Sequence, residues 1–186
     1  MNPDKTFIRV TAPAKEAGTG TLRIGSNMWN YLPSVERVIK IPPSLMLQSW
    51  MGSDFTNDDL VRESSLEKDY DHKLDGEVTQ DGDRCYRVIS TPRPDAPVVW
   101  GHLVIFVRKQ DFLPRREEYY DEKGRLQKVL TFEDFRQISG RPYPARWKMD
   151  SVTKPGHETV LVYGKLTFDR PIAASVFTQE NLQQPF

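Results

Sequence analysis

Short runs of β-branched and aromatic residues, separated by clusters of Gly, Pro, Asp and Ser, repeat along the whole chain. That alternation is the signature of an antiparallel all-β protein. It predicts strands over residues 6–12, 19–24, 28–32, 37–41, 70–77, 84–91, 98–109, 115–120, 126–135, 145–153 and 159–168. Between them stand "DGD" at Asp81, "DEKG" ending at Gly124, "SGRP" from Ser139 and "KPG" ending at Gly156, each with a Gly or Pro that supplies the backbone angles of a tight turn. Consecutive strands are therefore expected to pair as a meander.

The period-2 pattern also assigns faces. Over residues 126–135, Leu126, Leu130 and Phe132 share a side with Lys128, while Gln127, Thr131 and Glu133 accompany Val129, so that sheet is expected to have one wet side. The stretch 98–107 differs. Val98, Trp100, Val104 and Phe106 fall on one side and Val99, Leu103, Ile105 and Val107 on the other, and both need cover. A long meander with such a strand in its middle fits a strongly curved antiparallel sheet, an unclosed (half) β-barrel whose hollow is lined by aromatic and aliphatic side chains. Only two short helices are expected. One spans residues 45–51, after Pro42 and Pro43, with Ser44 as its cap and Gly52 as its break. The other is opened by Thr56 and Asp59 as a capping box and runs through Leu60 and Val61, with Asp58 and Asp59 favoured by the dipole in its first turn.

Composition removes several classes of function. Lys plus Arg and Asp plus Glu both number 26 in 186 residues, so no net field gathers nucleic acid or an anionic membrane. The longest uncharged apolar stretches fall far short of the roughly 20 residues a membrane-spanning helix needs. The opening "MNPDKTFIRV" lacks the basic and apolar regions of a secretory signal and enters a strand almost at once, which reads as a chain whose upstream segment was cut away. Cys85 is the single cysteine and suits a small buried hydrophobe. His72, His102 and His157 are far apart, and Asp54, Asp58 and Asp59 lack the alternating oxygen ligands of a calcium loop, so no metal is indicated. "GTGTLRIG" is a turn at Gly18 and Gly20 into a strand, with no helix behind it to make a phosphate loop. The arginines and lysines Arg115, Arg116, Arg141, Arg146 and Lys148 are interleaved with acids, as on a solvated sheet face. An enzyme has little to stand on here, since that reading rests only on scattered acids.

What remains is an apolar surplus. A curved sheet of this size with minimal helices leaves its hollow incompletely filled by Trp29, Tyr31, Trp50, Phe55, Trp100, Phe106, Phe132 and Trp147, and such a hollow is a natural apolar ligand cavity. Residues 45–51, with the adaptable Met46 and Met51, suit a movable cover over it.

The stretch "GTGTLRIGSNMWNYLPSVERVIKIPPSLMLQSWMGSDFTNDDLVR" resembles the LolA-like outer-membrane lipoprotein-sorting proteins of Gram-negative bacteria, above all in "MWNYLP", "IPPS" and "MGSDFTNDDL". Weaker similarity continues through "DYDHKL", "REEYYDEKGRLQKVLTF" and "GRPYPARWKM". The resemblance implies a single half-barrel domain over residues 1–186, short of the family's N-terminal helix and first strands. It implies a non-enzymatic periplasmic carrier or chaperone, without cofactor, that shelters lipoprotein acyl chains or another lipid. An inner-membrane transporter and an outer-membrane receptor are the implied partners, nucleic acid is not, and open strand edges allow a homodimer. The candidate lining and cover residues are Trp29, Tyr31, Leu45, Met46, Leu47, Trp50, Met51, Phe55, Trp100 and Phe106. The alternative is a protein-interaction module that docks on an envelope transporter through the same apolar stretch.

Overall fold

The computed structural model describes residues 5–62, 66–96 and 98–184. Eleven strands are found among them, one at each predicted stretch: β1 Lys5–Arg9, β2 Gly20–Ile24, β3 Asn27–Leu32, β4 Arg37–Lys40, β5 Tyr70–Gln80, β6 Asp83–Pro92, β7 His102–Arg108, β8 Pro114–Tyr120, β9 Leu126–Ile138, β10 Arg141–Ser151 and β11 Glu158–Val162. The protein is mainly β, and all pairings are antiparallel. The strands divide between two meanders, ordered β1-β2-β3-β4 and β11-β10-β9-β8-β7-β6-β5, and neither closes into a barrel. Short helices complete the inventory of described residues: α1 Asn57–Arg62, α2 Leu66–Asp69 and α3 Gln179–Gln183, with single 3₁₀ turns such as Pro43–Leu45 and Trp50–Gly52.

The described residues up to Gln48, those from Asn57 to Arg62 and those from Asp169 onward form one compact unit around the four-stranded sheet. Leu22, Met28 and Leu182 are fully buried in it. Leu182 of α3 lies against Gly20, where an added Cβ would come within 2.6 Å of its Cδ1. Thr178 caps α3 by accepting a hydrogen bond from the Asn181 amide at 3.1 Å. Arg9 reaches the Asn181 carbonyl from β1. Arg23, 4% exposed, donates to Thr6 Oγ1 at 3.3 Å and to the Gly25 carbonyl at 3.4 Å.

Ser49–Thr56 and the described residues from Leu66 to Phe168 form the second unit, around the seven-stranded sheet. One core cluster joins Phe55, Tyr70, Leu103, Ile105, Tyr119, Leu130, Phe132 and Met149. A smaller one, formed by Cys85, Val104 and Phe106, takes the alternate residues of β7. Burial pushes the Cys85 thiol pKa up, and burial together with the hydrogen bond to Glu118 pushes the Tyr120 phenol up to about 12.

Three local expectations are corrected. Residues 45–51 form no two-turn helix. Their carbonyls serve the following helix instead: the Asn57 amide donates to Gln48 O at 3.0 Å, the Asp58 amide to Met46 O at 2.8 Å, and Asn57 Nδ2 to Leu45 O at 3.0 Å. α1 itself starts where Thr56 predicts, with Asp58 and Asp59 in its first turn. Second, β7 begins at His102 because Gly101 bends the chain, its amide donating to Tyr120 O at 2.9 Å. The alternation restarts there, so Val98 and Trp100 pack with Leu103 and Ile105, while Val104 and Phe106 occupy the other side. Third, β9 has no wet side along its middle, since Val129 and Thr131 are as buried as Leu130 and Phe132.

Gly101 has no room for a side chain: a Cβ would meet the Asp121 carbonyl, with its carbon at 2.7 Å and Glu122 Cα at 2.8 Å, all rigid backbone. Gly101→Ala is therefore expected to cost about 1–3 kcal/mol. Gly20→Ala should cost less, because the Leu182 side chain can rotate away. Urea unfolding curves of the two variants check this ordering, and equal midpoints would contradict it.

Candidate functional site

Residues directly opposite each other in adjacent strands point to the same side of the sheet, so the registers define one continuous face of β5–β11. Leu74 pairs with Val88 and Glu77 with Tyr86. Val88 and Tyr86 pair in turn with Ile105 and Val107. Leu103 faces Tyr119 and Ile105 faces Glu117, followed by Lys128 and Leu130 on β9. Phe132 meets Trp147 and Leu130 meets Met149, and β11 closes the row with Leu161 and Thr159.

This face is unevenly covered. Around Phe55 it is filled, with Leu103, Leu130, Phe132 and Met149 all 5% exposed or less. Toward the β5–β6 end it is open: Leu74 is 59% exposed, Val88, Tyr86 and Val107 are only half-buried, and Phe112, 71% exposed, stacks on Tyr86 at 6.3 Å between ring centres. Phe112 has a left-handed backbone (φ 58°), a region that bulky residues rarely occupy and that costs of order 1–3 kcal/mol. The turn holds it there, as its amide donates to Arg108 O at 2.9 Å and Leu113 O accepts from the Arg108 amide at 2.8 Å. A partly exposed aromatic group continues the face at the other end. Trp147 meets Phe132 edge-on at 5.1 Å and Tyr163 at 5.5 Å.

The filled part owes its cover to the strap Ser49–Thr56. Trp50 donates its amide to Phe55 O at 2.7 Å and Ser49 bridges Thr56, so the strap is a small antiparallel loop whose tip turns at Met51 (φ 51°) and Gly52 (φ 75°). Two hydrogen bonds tie it to β11. The Asp54 amide donates to Thr159 Oγ1 at 2.8 Å, and that hydroxyl donates to Asp54 Oδ2 at 2.8 Å. Phe55 is thereby inserted into the core, 4% exposed.

Within the apolar face lies a polar island. Tyr119 donates its hydroxyl to Glu117 Oε2 at 2.7 Å. The Lys128 ammonium, in a residue 5% exposed, sits 4.8 Å from the ring centres of both Trp100 and Tyr119, and those two rings meet edge-to-face at 5.4 Å. A second charged group, near the hairpin ends, is internally balanced. Arg108 lies over the Phe135 ring at 3.6 Å and near Asp83 (3.6 Å) and Asp111 (3.5 Å), while Arg115 approaches Asp83 at 3.3 Å. Among the described residues no group of His, Cys, Asp and Glu is placed to hold a metal ion.

Of the residues singled out from sequence, Phe55 and Trp100 meet at this face. Trp50 and Met51 lie on the strap, half-buried. Phe106 belongs to the opposite side, with Cys85 and Val104. Trp29, Tyr31, Leu45, Met46 and Leu47 belong to the other unit, with Trp29 beneath the Lys40 ammonium at 5.9 Å and Leu47 53% exposed. Sequence reasoning missed Leu74, Tyr86 and Phe112. The alternation of Leu74 with Lys73 and Asp75 was the available signal for the first.

A family model described as "-like: Uncharacterized protein" matches residues 2–184. Among solved structures, a DUF1329 family protein from Desulfovibrio piger is similar at 30% identity over 96% of this chain and 76% of that one, with a TM-score of 0.88. A candidate outer membrane lipoprotein-sorting protein domain from Vibrio parahaemolyticus shares the fold at 22% identity, 97% and 77% coverage and a TM-score of 0.83. A LolA superfamily protein from Nitrosomonas europaea is similar at 27% identity, 97% and 79% coverage and a TM-score of 0.76. No curated protein matches the chain.

The strap offers a direct test of how the cover is held. Thr159→Val removes both hydrogen bonds to Asp54, at about 1 kcal/mol. Hydrogen exchange of the Asp54 and Phe55 amides should speed up several-fold while that of β9 stays unchanged. Unaltered exchange at Asp54 would show that the strap is held by something else.

Proposed function

Because this chain belongs to the DUF1329 family and has the LolA-like fold, we propose that it is a periplasmic binding protein for the acyl chains of a lipoprotein or another lipid, which it carries on the open part of the seven-stranded sheet's apolar face. The observation that carries the proposal is the exposure of Leu74 and Phe112 on the face that also bears Val88, Tyr86 and Val107. Contiguous apolar surface left in water marks a place where something else binds. The similarity to a LolA superfamily protein and to a candidate lipoprotein-sorting domain names an occupant of fitting chemistry. No helix among the described residues is long and apolar enough to cross a membrane.

Magnitudes allow it. Each buried methylene contributes roughly 0.8 kcal/mol, so a dozen gather about 10 kcal/mol before ordering costs. Release needs only that the cover and the open end rearrange, and a strap held to the sheet by two hydrogen bonds is suited to that.

Purified protein is expected to carry lipid in native mass spectrometry and to bind an acyl-chain fluorophore saturably. Leu74→Glu, at an exposed position that the fold does not need, should weaken that binding at least about tenfold by placing a charge where the chain lies. An empty protein with no saturable binding would refute the proposal.

A second reading has one observation in its favour, the 53% exposure of Leu47. In it, the stretch containing Leu47 docks on an envelope transporter. Leu47→Asp should then abolish capture of that transporter from detergent-solubilised envelopes and leave fluorophore affinity intact; undiminished capture would count against it.

A further inference from the structure

The polar island on the apolar face contains one donor with nothing to donate to. Trp100 Nε1 is buried and finds no acceptor among the described residues, whereas the other tryptophan of this face, Trp147, donates to the Pro144 carbonyl at 3.0 Å. Buried indole N–H groups are normally paired. The Trp100 ring is also held firmly. Gly101, next in the chain, is pressed against the Asp121 backbone, Tyr119 meets the ring edge-to-face at 5.4 Å, and the Lys128 ammonium lies over it at 4.8 Å. A donor held at the covered end of the face, beside an ammonium group, is placed to hold the oxygen of a ligand whose hydrocarbon runs along the face toward Leu74 once the cover over the donor parts.

We propose that Trp100 Nε1 is the recognition point for an acyl carbonyl, and that the carbonyl belongs to a neutral ester or amide rather than a free carboxylate. Charge balance decides between the two. Lys128 and Glu117 stand on the same face, one cation and one anion, with Glu117 further held by Tyr119 at 2.7 Å. A bound carboxylate would add an unbalanced charge to a low-dielectric site, whereas an ester or amide oxygen accepts the N–H bond at no such cost. The ligand class is therefore an acylated molecule, a diacyl lipid or an acylated lipoprotein end, and not a fatty acid. This inference rests on the apolar face being the ligand site, as proposed above.

Three pyrene probes with one tail test it: dodecylpyrene, pyrenyl-dodecanoic acid and the methyl ester of that acid, titrated at about pH 8, where the acid is ionised. The ester should bind roughly tenfold tighter than dodecylpyrene, and the acid no tighter than the ester. Trp100→Phe keeps an aromatic ring and deletes the N–H, so it should erase the ester's advantage over dodecylpyrene when both probes are titrated against the same variant. In the unaltered protein the Trp100 indole N–H resonance should move downfield with the ester and stay put with dodecylpyrene, a readout that does not depend on the variant folding. Equal affinity for ester and dodecylpyrene, an ester advantage that survives Trp100→Phe, a preference for the acid, or an unmoved indole resonance would each overturn the carbonyl assignment while leaving acyl-chain binding intact. Absence of saturable binding by all three probes would overturn the acyl-chain reading itself.

Discussion

A strand that is apolar on both sides must be covered on both sides, and β7 imposes that requirement on everything near it. Leu103 and Ile105 on one side and Val104 and Phe106 on the other are all 9% exposed or less. At roughly 25 cal/mol for each Å² removed from water, leaving either side bare would cost several kcal/mol. On the side of Val104 and Phe106 these two cluster with Cys85 on the neighbouring strand, and Val78 and Tyr120 pack beside them. The side of Leu103 and Ile105 is covered by Phe55 on its strap and by Val98 and Trp100, which the Gly101 bend lays across the sheet. The cover ends before the face does. Beyond Ile105 the apolar surface continues through Val107, Val88, Tyr86 and Leu74 with Phe112 standing at its edge.

That uneven cover links the packing to the chemistry. The covered end is kept by specific polar contacts: the paired hydrogen bonds between Asp54 and Thr159, the Tyr119–Glu117 bond, and the Lys128 ammonium between two aromatic rings. The open end has aromatic and aliphatic groups crossed by the Lys109–Glu77 ion pair (2.6 Å), whose ammonium lies 5.0 Å from the Tyr86 ring centre, and, at its tip, a left-handed Phe112 whose ring remains in water. Backbone strain that presents an apolar ring to solvent is hard to explain by folding alone, since burial would reward the same ring elsewhere.

The strand pattern was legible because alternation and turn residues are local: "DGD", "DEKG", "SGRP" and "KPG" each sit at a hairpin turn, and Asp81, Gly124, Ser139 and Gly156 all have positive φ there. The division of the strands between two sheets was not legible, since it depends on which edges meet after the chain leaves β4. The start, cap and break signals around "SLMLQSWM" misled because the segment's carbonyls serve as acceptors for α1 instead of as links of a helix of their own. Phe106 was assigned to the wrong company by a single Gly101 bend that shifts the alternation. Lys128 was placed on the right face, but its burial between Trp100 and Tyr119 depends on that same bend. Leu74 and Phe112 escaped notice for different reasons. The register that aligns Leu74 with Val88 is set by an irregularity between Leu74 and Glu77, at Gly76 with its φ of 99°. Phe112 lies in a loop, where no periodicity speaks.

Everything functional here depends on the open end of one sheet face, rather than its reverse, meeting acyl chains. Intermolecular NOEs between the tail of a fatty-acyl ester and the methyl groups of the protein, which report only direct contact, measure this. They should appear at the methyls of Leu74, Val88 and Val107 and be absent from those of Val78 and Val104, on the reverse side. Equal NOEs on both sides, or NOEs confined to Val78 and Val104, would contradict the account.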